Sequence, residues 1–342
     1  MRRHFARLPD AEKQAAYTQA ALQANTLPVI TEKDFWVCWL LGRIYAMPAL
    51  GAHCVFKGGT SLSKVFGIIQ RFSEDIDLGI LPATFGWKES DLDDAPTPTQ
   101  RRKRMDRLMV ECADFVRESF QPQLEASVSS MLGPGSGGSN WLVYTEDLAA
   151  QSPVLRFHYP SVVNSGTAYL EQAVKIEFGS LTDQRPVGTH RLAPMVQSLA
   201  PDAFEDFSAE VVALEVDRTF WEKATILHVE FHRPTDKAQP PRYARHYSDF
   251  AALWRHPSGQ AAAARLDLLE RVRLHKSRYF ASAWANYQSA TPGTLHLLPP
   301  DSRIEELRRD YAAMKPMFIG EPEEFDQMLA TIHHAEVTLN KR

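Results

Sequence analysis

The sequence predicts an α+β fold in which a domain built on a mixed sheet is followed by a helical domain. Strand-like apolar runs bounded by glycine and proline turns are confined to the stretch between Cys54 and Phe178. From about Ala209 onward the apolar residues recur at helical spacing instead. The boundary is therefore drawn at 208/209, giving domains 1–208 and 209–342. At 342 residues and 44% hydrophobic content the chain is long enough to bury two cores.

The first element is a helix of good formers from about Ala11 to Ala24. A second runs from Phe35 to Tyr45, with Thr31 and Asp34 giving capping-type signals. Its aromatic face (Phe35, Trp36, Trp39) reads as core. Glu32, Lys33 and Asp34 read first as helix-start residues, and a contact from Lys33 to substrate is the second reading.

Val55-Phe56 ends a buried strand, and Lys57-Gly58-Gly59-Thr60-Ser61-Leu62 follows. The glycines permit the tight turn and close backbone approach. Thr60 or Ser61 is expected to cap a helix from about Leu62 to Ile69, whose free N–H groups favour a phosphate. Then comes Arg71-Phe72-Ser73-Glu74-Asp75-Ile76-Asp77-Leu78. Residues two apart on a strand share a face, so Asp75 and Asp77 project together while Ile76 and Leu78 anchor the strand. Two adjacent carboxylates repel, and a divalent cation between them removes that cost. Either motif alone is weak; a glycine turn and a carboxylate pair in this order point to a nucleotide site. Lys57, Gly58, Gly59, Thr60, Ser61, Arg71 and Ser73 are the candidate nucleotide-binding residues.

In these residues the chain resembles the AbiEii/AbiGii-type nucleotidyltransferases, the toxins of AbiE-like toxin–antitoxin and phage-abortive systems. The resemblance extends to Trp221-Glu222-Lys223-Ala224 and to Arg245-His246-Tyr247-Ser248-Asp249-Phe250, in the family's order. It implies a DNA-polymerase-β-like nucleotidyltransferase domain with a helical domain behind it. It implies that Asp75 and Asp77 bind Mg2+, or Mn2+ in its place, that Lys223 contacts the triphosphate, and that Asp249 supports catalysis. It further implies transfer of a nucleotidyl group from an NTP (ATP, GTP, CTP or UTP) to an RNA acceptor, tRNA in some members, and growth arrest opposed by a cognate antitoxin. The chain departs from the family in a long insert from about Pro82 to Asn140, and in His246, where an acidic residue is common. A small-molecule nucleotidyltransferase and a non-catalytic nucleotide-binding module are the alternative classes.

Such sheets place a third carboxylate beside the Asp pair. Val174-Lys175-Ile176-Glu177-Phe178 alternates cleanly, which makes Glu177 the candidate; a solvated Lys/Glu face is the other reading. Asp147 and Asp183 read as loop residues. Further strands are expected at Trp141–Tyr144, Val154–Tyr159 and Tyr169–Phe178, forming an antiparallel continuation of the sheet.

The run Arg101 to Arg107 opens a helix reaching Phe120, after an acidic, Pro/Thr-rich loop at 91–100. It reads either as a solvated helix face or as a phosphate-contacting patch for RNA. Gly133 to Ser139 is a flexible connection without the Lys-Ser/Thr ending of a P-loop. His228 and His232 have a metal pair's helical spacing, but Val229 stands where a zinc protease needs Glu, which argues against zinc. Helices are expected at Gly259–His275, Tyr279–Gln288, Ser302–Met314 and Glu323–Leu339.

A formal charge of −4 argues against a wholly electrostatic nucleic-acid binder. Cys38, Cys54 and Cys112 are scattered in apolar runs, which fits a reducing cytoplasm rather than a disulfide framework. The start, Met1-Arg2-Arg3-His4-Phe5, lacks a signal peptide's apolar core, and no run suits a membrane helix.

Overall fold

Helix α1 (Asp10–Ala24) and helix α2 (Pro28–Tyr45) open the chain. Pro28 sits in the first turn of α2, where its missing N–H costs nothing and its fixed φ suits a helix. The expected start near Thr31 is therefore corrected: Thr31, Glu32, Lys33 and Asp34 lie inside the helix and are buried. The computed structural model describes residues 3–88, 90–147, 152–164 and 171–341. It divides into two units, Met1–Val65 with Phe72–Ala213, and Phe66–Arg71 with Leu214–Arg342.

In the first unit, helix α3 (Pro48–Gly51) leads to strand β1 (Cys54–Lys57), helix α4 (Gly58–Lys64) and strand β2 (Ile76–Ile80). Helix α4 begins at Gly58 rather than Leu62, so Thr60 and Ser61 are internal and do not cap it. It stops at Lys64 instead of Ile69, ahead of Gly67 at φ +63°. The insert is helical: α5 (Ser90–Asp93), α6 (Pro98–Phe115), a π-turn at Val116–Phe120, and α7 (Gln121–Leu132). Within the expected loop at 91–100, Thr97 caps α6 by accepting from the Gln100 N–H at 3.2 Å.

Strands β3 (Leu142–Asp147), β4 (Ser152–Phe157), β5 (Val174–Gly179), β6 (Val187–Leu192) and β7 (Ala209–Leu214) complete one seven-stranded sheet, ordered β3-β4-β5-β2-β1-β7-β6. The β3-β4-β5 ribbon is antiparallel, as is β1 with β2, but β5 runs parallel to β2 and β7 parallel to β1. The sheet is thus mixed, not a purely antiparallel continuation. Asp147 ends β3 instead of lying in a loop. Tyr169 and Leu170, where the last strand was expected to begin, lie outside the described residues. Strand β7 runs to Leu214 and the first unit extends to Ala213, past the 208/209 boundary read from sequence.

Period-2 alternation sorts the sheet's faces. Ile76, Leu78, Ile176 and Phe178 are buried in one core with Phe35, Trp36 and Trp39 of α2. Phe120 meets Phe178 edge-on at 4.9 Å, and Trp36 stacks on Tyr159 at 5.8 Å. The intervening residues Asp77 and Glu177 face the other way and are only half-buried.

The second unit is helical: α8 (Val216–Phe231), α9 (Ala244–Arg255), α10 (Pro257–Ala262), α11 (Leu266–Tyr279), α12 (Ile304–Ala313) and α13 (Phe325–Leu339). The expected helix 259–275 is two helices, and the Ala262 carbonyl at the break accepts from the Trp221 indole at 3.0 Å. The expected helix 279–288 is only a 3-10 turn, Tyr287–Ser289, preceded by Asn286 at φ +46°.

Candidate nucleotide site

The glycine turn and the carboxylate strand meet through β1 and β2, where Lys57 pairs with Asp77. Gly58 has φ +86°, and a Cβ placed on it would collide with Asp77 Oδ2. Only glycine allows both that conformation and that approach. Beyond it, Ser61 Oγ donates to the Gly58 carbonyl at 2.8 Å. Thr60 Oγ1 bonds Ser73 Oγ at 2.9 Å and the Asp75 carbonyl. Thr60 and Ser73 therefore fasten the turn to the backbone that delivers Asp75.

Asp77 stands directly across from Glu177 in the parallel β2–β5 register. Glu177 is ion-paired with Lys175 on its own strand. Asp75 is pushed up to about 6, by burial first and then by the charges of Glu74, Asp77 and Glu177, with Lys175 offsetting part. This local excess of negative charge fits a divalent cation. Among the described residues no three His, Cys, Asp or Glu side chains already form a closed ligand set.

Behind the turn and the strand lies α2. Glu32 accepts from Val162 N and Ser161 Oγ, both at 2.7 Å. Lys33 Nζ, buried, reaches Glu74 Oε2 at 2.7 Å and the Glu171 carbonyl at 2.9 Å. Asp34 Oδ1 pairs with Lys64 Nζ at 2.6 Å, and its Oδ2 accepts from Met195 N at 2.7 Å. Burial opposes the charge on Lys64, but Asp34 outweighs it and holds the lysine above its ordinary value. Sequence reasoning missed these pairs because it started the helix too late; Pro28 was the available signal.

The second unit gathers Arg71, Lys223, His246 and Asp249. Asp249 accepts from Arg71 Nε and Nη2 and from Lys223 Nζ, the last at 2.8 Å. Burial would raise its carboxyl, but Arg71 and Lys223 outweigh that and hold it well below the usual range. Lys223 Nζ also lies 3.1 Å from His246 Nδ1. His246 is kept neutral by burial and by Lys223 and Arg245 nearby, so it can accept that hydrogen bond. Lys223 itself is lowered, by burial above all. Arg71, read from sequence as flanking the carboxylate strand, is a member of this second cluster.

Two other features singled out in the sequence have local partners of their own. In the basic run, Arg102 pairs with Asp106 at 2.9 Å, Arg107 with Glu111 at 2.8 Å, and Arg104 bonds the Asp91 carbonyl. Much of its charge is absorbed locally, around a shallow pocket of about 390 Å3 that also takes in Trp87 and Lys103. His228 uses both ring nitrogens internally, on Asn286 O and His296 N at 3.1 Å each, and burial pushes it down to about 4. The spacing of His228 and His232 therefore has a structural explanation.

Comparison with known proteins follows the same lines. The family described as "Nucleotidyl transferase AbiEii toxin, Type IV TA system" matches residues 39–331. No curated protein matches the chain. Among solved structures, the fold is similar to that of MenT4, a nucleotidyltransferase toxin from Mycobacterium tuberculosis H37Rv. The TM-score is 0.52 at 14% identity, over 98% of this chain and 90% of that one. Among the described residues no helix is long and apolar enough to cross a membrane.

Proposed function

Because the chain belongs to the AbiEii nucleotidyltransferase toxin family of type IV toxin–antitoxin systems, we propose that it moves a nucleotidyl group from an NTP to a hydroxyl of RNA, with tRNA as the acceptor. The observation that carries this is the group of three carboxylates, Asp77 and Glu177 paired across adjacent strands and Asp75 immediately before β2, with Asp75 raised to about 6 by burial and then by its neighbours' charge.

In this reading Asp75 and Asp77 hold Mg2+. When bound, the ion supplies positive charge to the acceptor oxygen and to the departing pyrophosphate. The chain's own residues do the rest. Gly58, Gly59, Thr60 and Ser61 form the first turn of α4, against which the triphosphate lies, and Gly58 keeps backbone close to Asp77. Glu177 takes the acceptor's proton, and Lys175, ion-paired with it on the same strand, holds its side chain in place. Lys57 and Lys223 meet phosphate charge, where phosphoryl transfer gains most. Asp249 and His246 fix the Lys223 ammonium, and Arg71 holds Asp249 in turn. A cognate antitoxin opposes the resulting growth arrest.

The test is incubation with total tRNA, Mg2+ and each radiolabelled NTP in turn, beside an Asp75→Ala/Asp77→Ala control. Label on RNA that vanishes in the control supports the reading and names the NTP. No label with any NTP, from folded protein, rejects RNA as the acceptor.

A further inference from the structure

Three consecutive residues of α2 are charged, internal to a helix and fully buried, and each fastens a different segment. Glu32, Lys33 and Asp34 are at most 2% exposed. Successive helical residues point about 100° apart, so the three side chains leave α2 in three directions. Glu32 takes the loop at Ser161 and Val162. Lys33 takes Glu74, the residue before Asp75, together with the Glu171 carbonyl a few residues ahead of β5. Asp34 takes Lys64, the last residue of the helix that begins at Gly58, and Met195 N.

A plain core would not place charges here, because a buried charge is costly without a partner and an apolar pair of similar size packs as well or better. These pairs fall on both halves of the site. Lys64 closes the element that opens with the glycine turn, and Glu74 adjoins the carboxylate pair. We propose that Lys33 and Asp34 are positioning residues which, through Glu74 and Lys64, fix the carboxylate strand relative to the glycine turn so that Asp75 and Asp77 are preset to take a divalent cation. The inference rests on the reading of Asp75 and Asp77 as the cation pair. Neither Lys33 nor Asp34 touches substrate in this account. They act as the outer partners of ligands do, whose loss costs about 10–100-fold in metal affinity or activity.

The experiment measures Mn2+ binding by electron paramagnetic resonance of the free ion, with the full-length chain and no nucleotide, alongside nucleotide transfer. Lys33→Met alone leaves Glu74 without its lysine and risks misfolding, so the informative variant is Lys33→Met/Glu74→Gln, which removes both charges of that pair together. The expected result is a folded protein, by circular dichroism and thermal melting, whose Mn2+ dissociation constant rises about tenfold or more. Lys33→Arg, which keeps the charge and a donor, should retain most of the affinity. A folded double variant with wild-type Mn2+ affinity and transfer rate overturns the proposal. Absence of Mn2+ binding by the wild-type chain overturns the reading of Asp75 and Asp77 beneath it, and the proposal with it.

Discussion

Arg71 and Asp249 form a two-point fork, with Nε 2.7 Å from Oδ1 and Nη2 2.8 Å from Oδ2, and both side chains buried. This geometry is specific to a guanidinium and a carboxylate. Asp249→Asn should cost about 3–5 kcal/mol, because it leaves Arg71 and Lys223 buried and under-compensated. Arg71→Lys, which keeps charge but loses the fork, should fall between wild type and that variant in urea unfolding. Asp249 titrates below the ordinary carboxyl in the folded chain, so its contribution is present above about pH 4 and is lost as pH falls below that value.

The charge on Asp75 should act against stability in the metal-free protein. Its folded pKa is raised from 3.8 to about 6, so the stability it contributes below pH 3.8 is lost as pH rises through about 6. At neutral pH the loss is about 2–3 kcal/mol. Asp75→Asn should therefore melt higher than wild type without metal at pH 7, while nucleotide transfer disappears. Added Mg2+ should raise the melting temperature of wild type and leave that of the variant unchanged.

Lys223 offers a contrasting pH response. Its ammonium is lowered from the ordinary lysine value by burial, so it loses its charge at a lower pH than a solvated lysine does. The KM for NTP should climb on the alkaline side earlier than free lysine chemistry predicts. In Lys223→Met that alkaline limb should be absent, with kcat/KM down on the order of 10²–10³-fold. Steady-state kinetics between neutral and alkaline pH check both points.

Gly58→Ala should be far worse than a typical surface change. The added methyl meets Asp77 Oδ2, and alanine must also adopt φ +86°. Metal binding and transfer should fall together, since Asp77 must move to admit the methyl. Mn2+ titration of the purified variant, beside its melting curve, separates that displacement from simple unfolding.

The local motifs were legible because their physics is local. Lys57 to Leu62 reads as a strand giving way to a helix within a few residues, though the helix begins at Gly58 and not Leu62, and Ile76-Asp77-Leu78 alternates as a half-buried strand must, with Asp75 just ahead of it. The aromatic face of α2 likewise went to the core. What escaped depended on distant partners. Glu32, Lys33 and Asp34 carry the residue types of a helix start, and only their partners at Val162, Glu74 and Lys64 reveal an interior. Strand β6 alternates exposed and half-buried residues, and its run of Gly188, Thr189, His190 and Arg191 hides it from a hydrophobic pattern. The fork joins Arg71 to Asp249 across 178 positions of sequence, and no spacing rule links two such residues.

Strand β2 draws its parallel neighbour β5 from far along the chain, after α5, α6, α7, β3 and β4 have all been made. A polypeptide emerging from the ribosome therefore exposes Asp75 and Asp77 well before the strand bearing Glu177 exists to face them. Pairing across so large a gap is late and slow to form. The partly synthesised chain thus lacks the complete acidic face, and premature termination anywhere before β5 yields a fragment that cannot assemble it.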